Sequence, residues 1–444
     1  MHYDLILRNG TLVTPEKSFK ADVAVKNGKI IFSGVLENTD TADDEYDAGG
    51  KYILPGVIDA HVHFRDPGLT EKEDFESGSM AAAFGGITTI ADMPNVIPPT
   101  STVERFNEKA RLAKEKSYID FCLFSLLSNE NTNEMDGLKK AGTLGFKIFL
   151  GTSTGDIASP SEGVLIEQMM AAAGLGMRIG FHAETSGLNS HFTSLCKKIN
   201  DVPEGLLLSS ARPVISEVLA IQTAIIYSQF TKTKIHIHHV TSGEGAALIG
   251  EAKLKGINVT AETCPHYLLL DAENGTNKVY PPIRDKEQQK GLWEAVEKRI
   301  IDMIASDHAP HTKKEKSLSL WEMPAGLCGV ETFVPVMLNE VNKKTLTLND
   351  FARLSSEAPA KIWGIYPQKG NLQNGADADF TIVDMNKKYR IDKNALHSKS
   401  KTSPFDGMEI KGMLAATIVR GKFILKDGCL TGKKGFGSLV SPAL

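Results

Sequence analysis

Lys51-Tyr52-Ile53-Leu54-Pro55-Gly56-Val57-Ile58-Asp59-Ala60-His61-Val62-His63-Phe64-Arg65-Asp66-Pro67-Gly68 runs from a short apolar segment straight into a cluster of polar side chains. The apolar part, residues 53–58, reads as a buried strand. Side chains alternate along a strand, so His61 and His63 project to the same side at its exit. Two imidazoles on one face can hold one metal ion from a rigid base. Arg65, two positions on, sets a guanidinium beside that ion, a pairing that suits a small anionic substrate. A His-x-His pair alone is weak, and its meaning depends on further ligands at the ends of other strands.

Such strands recur. Residues 87–93, 121–124, 145–150, 178–182, 234–240, 258–261 and 303–307 are short apolar runs separated by helical stretches. With residues 53–58 they make eight over roughly three hundred residues, the scale of a (β/α)8 barrel, whose chemistry sits at the C-terminal ends of the strands. An open doubly wound sheet is the competing α/β architecture, and it explains less well why polar residues from so many strands would converge. The chain ends read differently. Leu5–Val13 and Asp22–Ile31, broken by Asn-Gly turns, are matched in style by Asp379–Asp384 and Ala415–Ile424. The expected organisation is a β-sandwich from residues 1–52 and 368–444 around a barrel from residues 53–367.

Composition narrows the class. The chain has 444 residues, 41% hydrophobic and 23% charged, with a net charge of −4. There is no basic excess to neutralise nucleic-acid phosphates. The five cysteines are scattered and form no Cys-x-x-Cys pair, which fits reduced thiols in the cytoplasm. The start, Met1-His2-Tyr3-Asp4-Leu5-Ile6-Leu7, enters a strand pattern directly. Neither a signal peptide nor a membrane-spanning stretch is expected.

Candidate ligands occupy four further strand ends. Lys147 lies in Gly-Phe-Lys-Ile-Phe-Leu, where a buried amine must lose its charge, find a partner or be converted. A neutral amine can take up carbon dioxide as a carbamate that bridges two metals; the alternative is an ordinary lysine whose head reaches solvent. His182 ends Arg-Ile-Gly-Phe-His, and His239 ends Ile-His-Ile-His-His. His236 lies deeper, and His238 faces the opposite way from His239, as a packing or hydrogen-bonded residue. Asp307 stands in Ala-Ser-Asp-His-Ala-Pro-His. Histidine and carboxylate donors without cysteine suit a catalytic zinc site. Five or six such groups can hold two ions about 3.5–4 Å apart.

Taken together these residues resemble the amidohydrolase superfamily and, within it, the dihydroorotase family, over essentially the whole length. The motifs are Asp-Ala-His-Val-His-Phe-Arg-Asp-Pro-Gly, Ala-Asp-Met-Pro-Asn-Val at 91–96 and Ala-Ser-Asp-His-Ala-Pro-His at 305–311. The resemblance implies two Zn²⁺ ions bridged by carboxylated Lys147 and a hydroxide. His61, His63 and Asp307 would hold one ion, and His182 and His239 the other. Asp156 is the alternative bridge, while His266, in Thr-Cys-Pro-His-Tyr, takes no ligand role. Arg65, Asn95 and His311 would bind a substrate carboxylate, and Asp307 would also carry the catalytic proton.

The implied activity is reversible hydrolysis of L-dihydroorotate to N-carbamoyl-L-aspartate in pyrimidine biosynthesis, by a homodimer acting on a small molecule, with neither nucleic acid nor membrane as partner. Hydantoinases, dihydropyrimidinases and allantoinases resemble the same barrel, but their rings lack the carboxylate that Arg65 would grip. A buried arginine facing an uncharged ring would be left unpaired, which favours dihydroorotate. A non-catalytic scaffold homologue is a further alternative. The segment 323–329 is expected to cross the barrel mouth.

Overall fold

A computed structural model describes residues 1–37, 39–151 and 158–443. Eight parallel strands line the middle of the chain: Val57–Val62, Ile87–Asp92, Asp120–Leu123 continued by Ser125–Leu126, Phe146–Phe149, Arg178–His182, Lys234–Ile237, Val259–Thr263 and Met303–Ile304. The ring closes where Val62 pairs in parallel with His308, and His63 N–H donates to the His308 carbonyl at 2.8 Å. The barrel expectation is met. These strands are buried along nearly their whole length, as a parallel sheet covered by helices requires.

The helices form for local reasons. In Val103–Lys116, Thr102 caps the first turn by accepting from Arg105 N–H, and Lys114 and Lys116 complement the last turn. Phe106, Lys109 and Ala113 face inward. Lys109 is buried because Asp92, at the end of the second barrel strand, pairs with it at 2.5 Å. The other oxygen of Asp92 accepts Phe64 N–H at 2.7 Å, which fixes the backbone between His63 and Arg65.

Both chain ends join one nine-stranded sheet. Its link is Tyr52–Pro55, which runs parallel to His2–Val13 and antiparallel to Phe380–Arg390. Leu5, Leu7, Val23, Val25, Ile53, Phe380, Ile382 and Ile418 supply the core of this β-sandwich. Residues 53–58 are therefore not one strand. The chain leaves the sandwich at Pro55 and enters the barrel at Val57, and Gly56 marks the crossing. A Cβ there would collide with Thr88 and Asp379, so the two units approach through a residue without a side chain.

Residues 204–231 are long and apolar enough by composition to cross a membrane. In the fold they are two helices, Glu204–Ala211 and Val214–Thr231, broken at Arg212-Pro213, and the second buries Glu217, Ala220, Ile221, Ala224 and Ile225. All five cysteines are free thiols.

Candidate active site at the barrel mouth

A pocket opens at the C-terminal ends of the barrel strands. His61, His63, Lys147, His182, His239 and Asp307 all line it, together with Arg65 and Asn95. His311 does not; it lies behind Arg65, its Nε2 3.0 Å from the Ala325 carbonyl. Asp156 lies outside the described residues. Ala325 and Gly326 of the segment 323–329 form part of the rim, and Phe149 and Tyr280 supply aromatic surface.

The histidines are oriented by what holds their outer nitrogens. His61 Nδ1 bonds Glu262, and His63 Nδ1 donates to Asn95 Oδ1 at 2.8 Å. That leaves both Nε2 atoms facing Asp307 Oδ1, at 3.3 and 3.2 Å. His182 is held the other way round. Its Nε2 donates to Glu184 at 2.9 Å, so Nδ1 faces His239 Nε2 at 3.0 Å. Two imidazole nitrogens this close need a proton or a cation between them. Metal-binding imidazoles are commonly anchored through the other nitrogen in this way. His182 and His239 are held below the ordinary histidine range, chiefly by burial, which favours the neutral, ligating form.

Lys147 Nζ is buried and has no hydrogen-bond partner among the described residues. Burial pushes its amine down to about 7, against the opposing pull of Glu262 and Asp307. An uncharged amine is the form that captures carbon dioxide, and beside it one nitrogen each of His61 and His63 and one oxygen of Asp307 lie close enough together to hold a metal ion.

Three pocket residues, Arg65, His239 and Asp307, have left-handed backbone conformations, with φ of 63°, 40° and 46°. Side chains with a Cβ adopt this region only at a cost, and such positions cluster at functional sites. Arg65 therefore does not continue the register of the first strand, which ends at Val62. The guanidinium is buried and donates Nε–H to the Pro310 carbonyl at 3.3 Å, with Nη2 3.4 Å from His311 Nε2.

Several participants escape sequence reasoning. Glu262 sits beneath the pocket and accepts from His61, from His238 at 2.9 Å and from His236 at 3.1 Å. His236 and His238 are thus hydrogen-bonded parts of the barrel interior. Gly180 leaves room for them, since a Cβ there would strike the His238 ring. Glu184 and Arg212 form a buried ion pair behind His182. The signal available for Glu262 was a carboxylate inside the apolar run Val-Thr-Ala-Glu-Thr; for Glu184 it was the carboxylate two positions after His182.

Residues 52–424 match the model of the Amidohydrolase family. The chain is 36% identical to a protein named L-hydantoinase from Paenarthrobacter aurescens, over 99% of this chain and 98% of the relative. It is 37% identical to one named allantoinase from Deinococcus radiodurans, over 100% and 99%. Among solved structures, an L-hydantoinase (dihydropyrimidinase) from Arthrobacter aurescens superposes with a TM-score of 0.95 at 35% identity, covering 99% of this chain and 100% of that one. A dihydropyrimidinase from Brevibacillus agri NCHU1002 gives 0.91 at 29%, covering 99% of each.

These relatives overturn the narrower expectation of a dihydroorotase acting in pyrimidine biosynthesis. Nor is Arg65 without any partner when no carboxylate is bound, because its Nε–H is already donated to the Pro310 carbonyl within the protein.

Proposed function

The chain belongs to the amidohydrolase family, and from that premise we propose that it hydrolyses the ring amide of a cyclic ureide of the hydantoin, allantoin or dihydropyrimidine kind. The observation that carries this reading is the pocket itself: four histidines, an aspartate and a buried lysine with no partner among the described residues, gathered at five different strand ends. His61, His63 and Asp307 would hold one zinc ion, His182 and His239 a second, and carboxylated Lys147 would join the two. Such ions, when bound, supply Lewis-acid polarisation of the ring carbonyl and a water made acidic enough to be a nucleophile near neutral pH.

The chain's own residues do the rest. Asp307 would take the proton of the attacking water and return it to the departing ring nitrogen. Asn95 spends its carbonyl oxygen on His63, so only its amide N–H groups remain for a ring oxygen. Arg65, anchored through Nε, presents its remaining N–H groups to the same pocket. Phe149 and Tyr280 offer flat surface to a flat ring and keep bulk water from the reacting amide.

The test is a panel of ring substrates with metal analysis of the same preparation. Turnover of a 5-substituted hydantoin, allantoin or dihydrouracil is expected, lost on chelation and restored by zinc. Turnover confined to L-dihydroorotate would overturn the reading. So would a fully metallated protein that opens no ring.

A further inference from the structure

His61 and His63 each lean on a single acceptor, Glu262 and Asn95. His182 leans on Glu184, and Glu184 is itself gripped. Arg212 donates Nε–H to Glu184 Oε1 at 2.9 Å and Nη2–H to Oε2, while Asn189 donates to Oε1 at 3.2 Å. The planar fork is thus engaged along its edge, a bidentate geometry open to arginine and not to lysine.

The flat face of the same guanidinium serves a second residue. Arg212 Cζ lies 3.8 Å from the centroid of the Tyr280 ring, a cation–π contact. Tyr280 lines the pocket. Arg212 is well placed to serve both, because it sits in the break between the helices Glu204–Ala211 and Val214–Thr231. Its own carbonyl accepts from Arg284, so its backbone is tied to the segment that follows Tyr280.

We propose that Arg212 is a shared positioning residue: through Glu184 it fixes which nitrogen of His182 faces the metal, and through its flat face it fixes the Tyr280 wall that meets the ring substituent. Metal affinity and substituent preference are then set by one group. The inference rests on the metal-dependent ring hydrolysis proposed above.

Three variants test it: Arg212→Met, Arg212→Lys and Tyr280→Ala. Zinc affinity of the chelator-stripped protein is measured by calorimetry. The preference between small and bulky 5-substituted hydantoins is measured as a ratio of kcat/KM. In Arg212→Met, zinc affinity should fall roughly 10–100-fold, the usual effect of losing a group that orients a ligand. Its substituent preference should shift in the same direction as that of Tyr280→Ala. Arg212→Lys keeps the charge without the fork or the flat face, so it should recover part of the zinc affinity and none of the preference. Tyr280→Ala should shift the preference and hold zinc affinity within about twofold.

Unchanged zinc affinity in Arg212→Met overturns the proposal, as does a loss of zinc affinity with wild-type preference. Should Arg212→Met fail to fold, Arg212→Lys decides, and wild-type preference in that variant overturns the shared anchor. A wild-type protein that binds zinc and opens no ring would end the proposed function, while the zinc measurement would still decide this one.

Discussion

Lys147 and Lys369 are both fully buried, and their surroundings give them opposite fates. Lys147 sits mid-strand in Phe146–Phe149 with no hydrogen-bond partner for its nitrogen among the described residues, and burial lowers its pKa to about 7. Lys369 lies between the barrel and the terminal sheet, where Asp120, Asp379 and Asp377 surround its nitrogen at 2.6, 2.7 and 2.9 Å. Burial acts on it too, but the three carboxylates outweigh that and raise its pKa above the ordinary lysine value. Arg420 pairs with Asp120 at 3.0 Å and Lys29 with Asp377 at 2.6 Å, so three acids meet three bases.

Burial alone therefore does not decide a lysine's charge; the partner set does. Three carboxylate oxygens within 4.8 Å of one another could hold a metal ion, and here a lysine ammonium serves as the cation. One lysine faces the pocket with its amine held toward the neutral form by burial. The other is a permanent ion that ties the barrel to the β-sandwich.

The comparison can be broken most severely at Lys147. Lys147→Ala should lower bound metal and turnover by at least about 100-fold, since it removes a proposed donor where loss of a supporting group already costs 10–100-fold. Elemental analysis and kcat measure this, and short carboxylic acids should restore part of both. Full metal content in the variant would mean that Lys147 is not the bridge.

A smaller and different loss is expected at Lys369. Lys369→Met leaves three buried carboxylates short of a cation, a defect worth about 3–5 kcal/mol. The urea midpoint should fall while metal per folded molecule stays at the wild-type level. An unchanged midpoint would show that the clasp contributes nothing.

The smallest effect is a slope. In metal-stripped protein, the unfolded chain holds the Lys147 proton up to about 10.5, whereas the folded chain releases it near 7. Between those values the unfolded state binds more protons, so this group makes stability rise with pH. Lys369 has the opposite sign. Its contribution is complete below about 10.5 and is lost only at higher pH, as pH rises through its folded value. Urea midpoints at pH 7 and 9.5 should therefore rise more in wild type than in Lys147→Met. Equal changes would mean that Lys147 is charged in the fold.

Much of this was legible in the chain. The alternation of short apolar runs with helical stretches predicts the barrel, and His61, His63, Lys147, His182, His239 and Asp307 stand at or near the ends of those runs. What local pattern cannot show is how a side chain is satisfied by residues far away. Arg65 read as a fork awaiting a substrate carboxylate, but the Pro310 carbonyl, 245 positions on, already takes its Nε–H. Asn95 read as a substrate contact, and the commitment of its oxygen to His63, which leaves only its amide N–H groups facing the pocket, could not be read from the sequence. Residues 53–58 read as one strand on their apolar character, although the Pro55-Gly56 pair inside them is a local breaker and stands where the chain crosses between the two units.

By itself the sequence determined the fold class and the side chains that could meet a metal, because strand and helix periodicities and donor chemistry are local properties. Only the tertiary structure decided which nitrogen of each histidine faces the pocket, which carboxylates stand behind them, and why one buried lysine is left without a partner while another is held by three. Those outcomes depend on desolvation and on hydrogen-bond partners brought together from distant positions, and no window of sequence contains them.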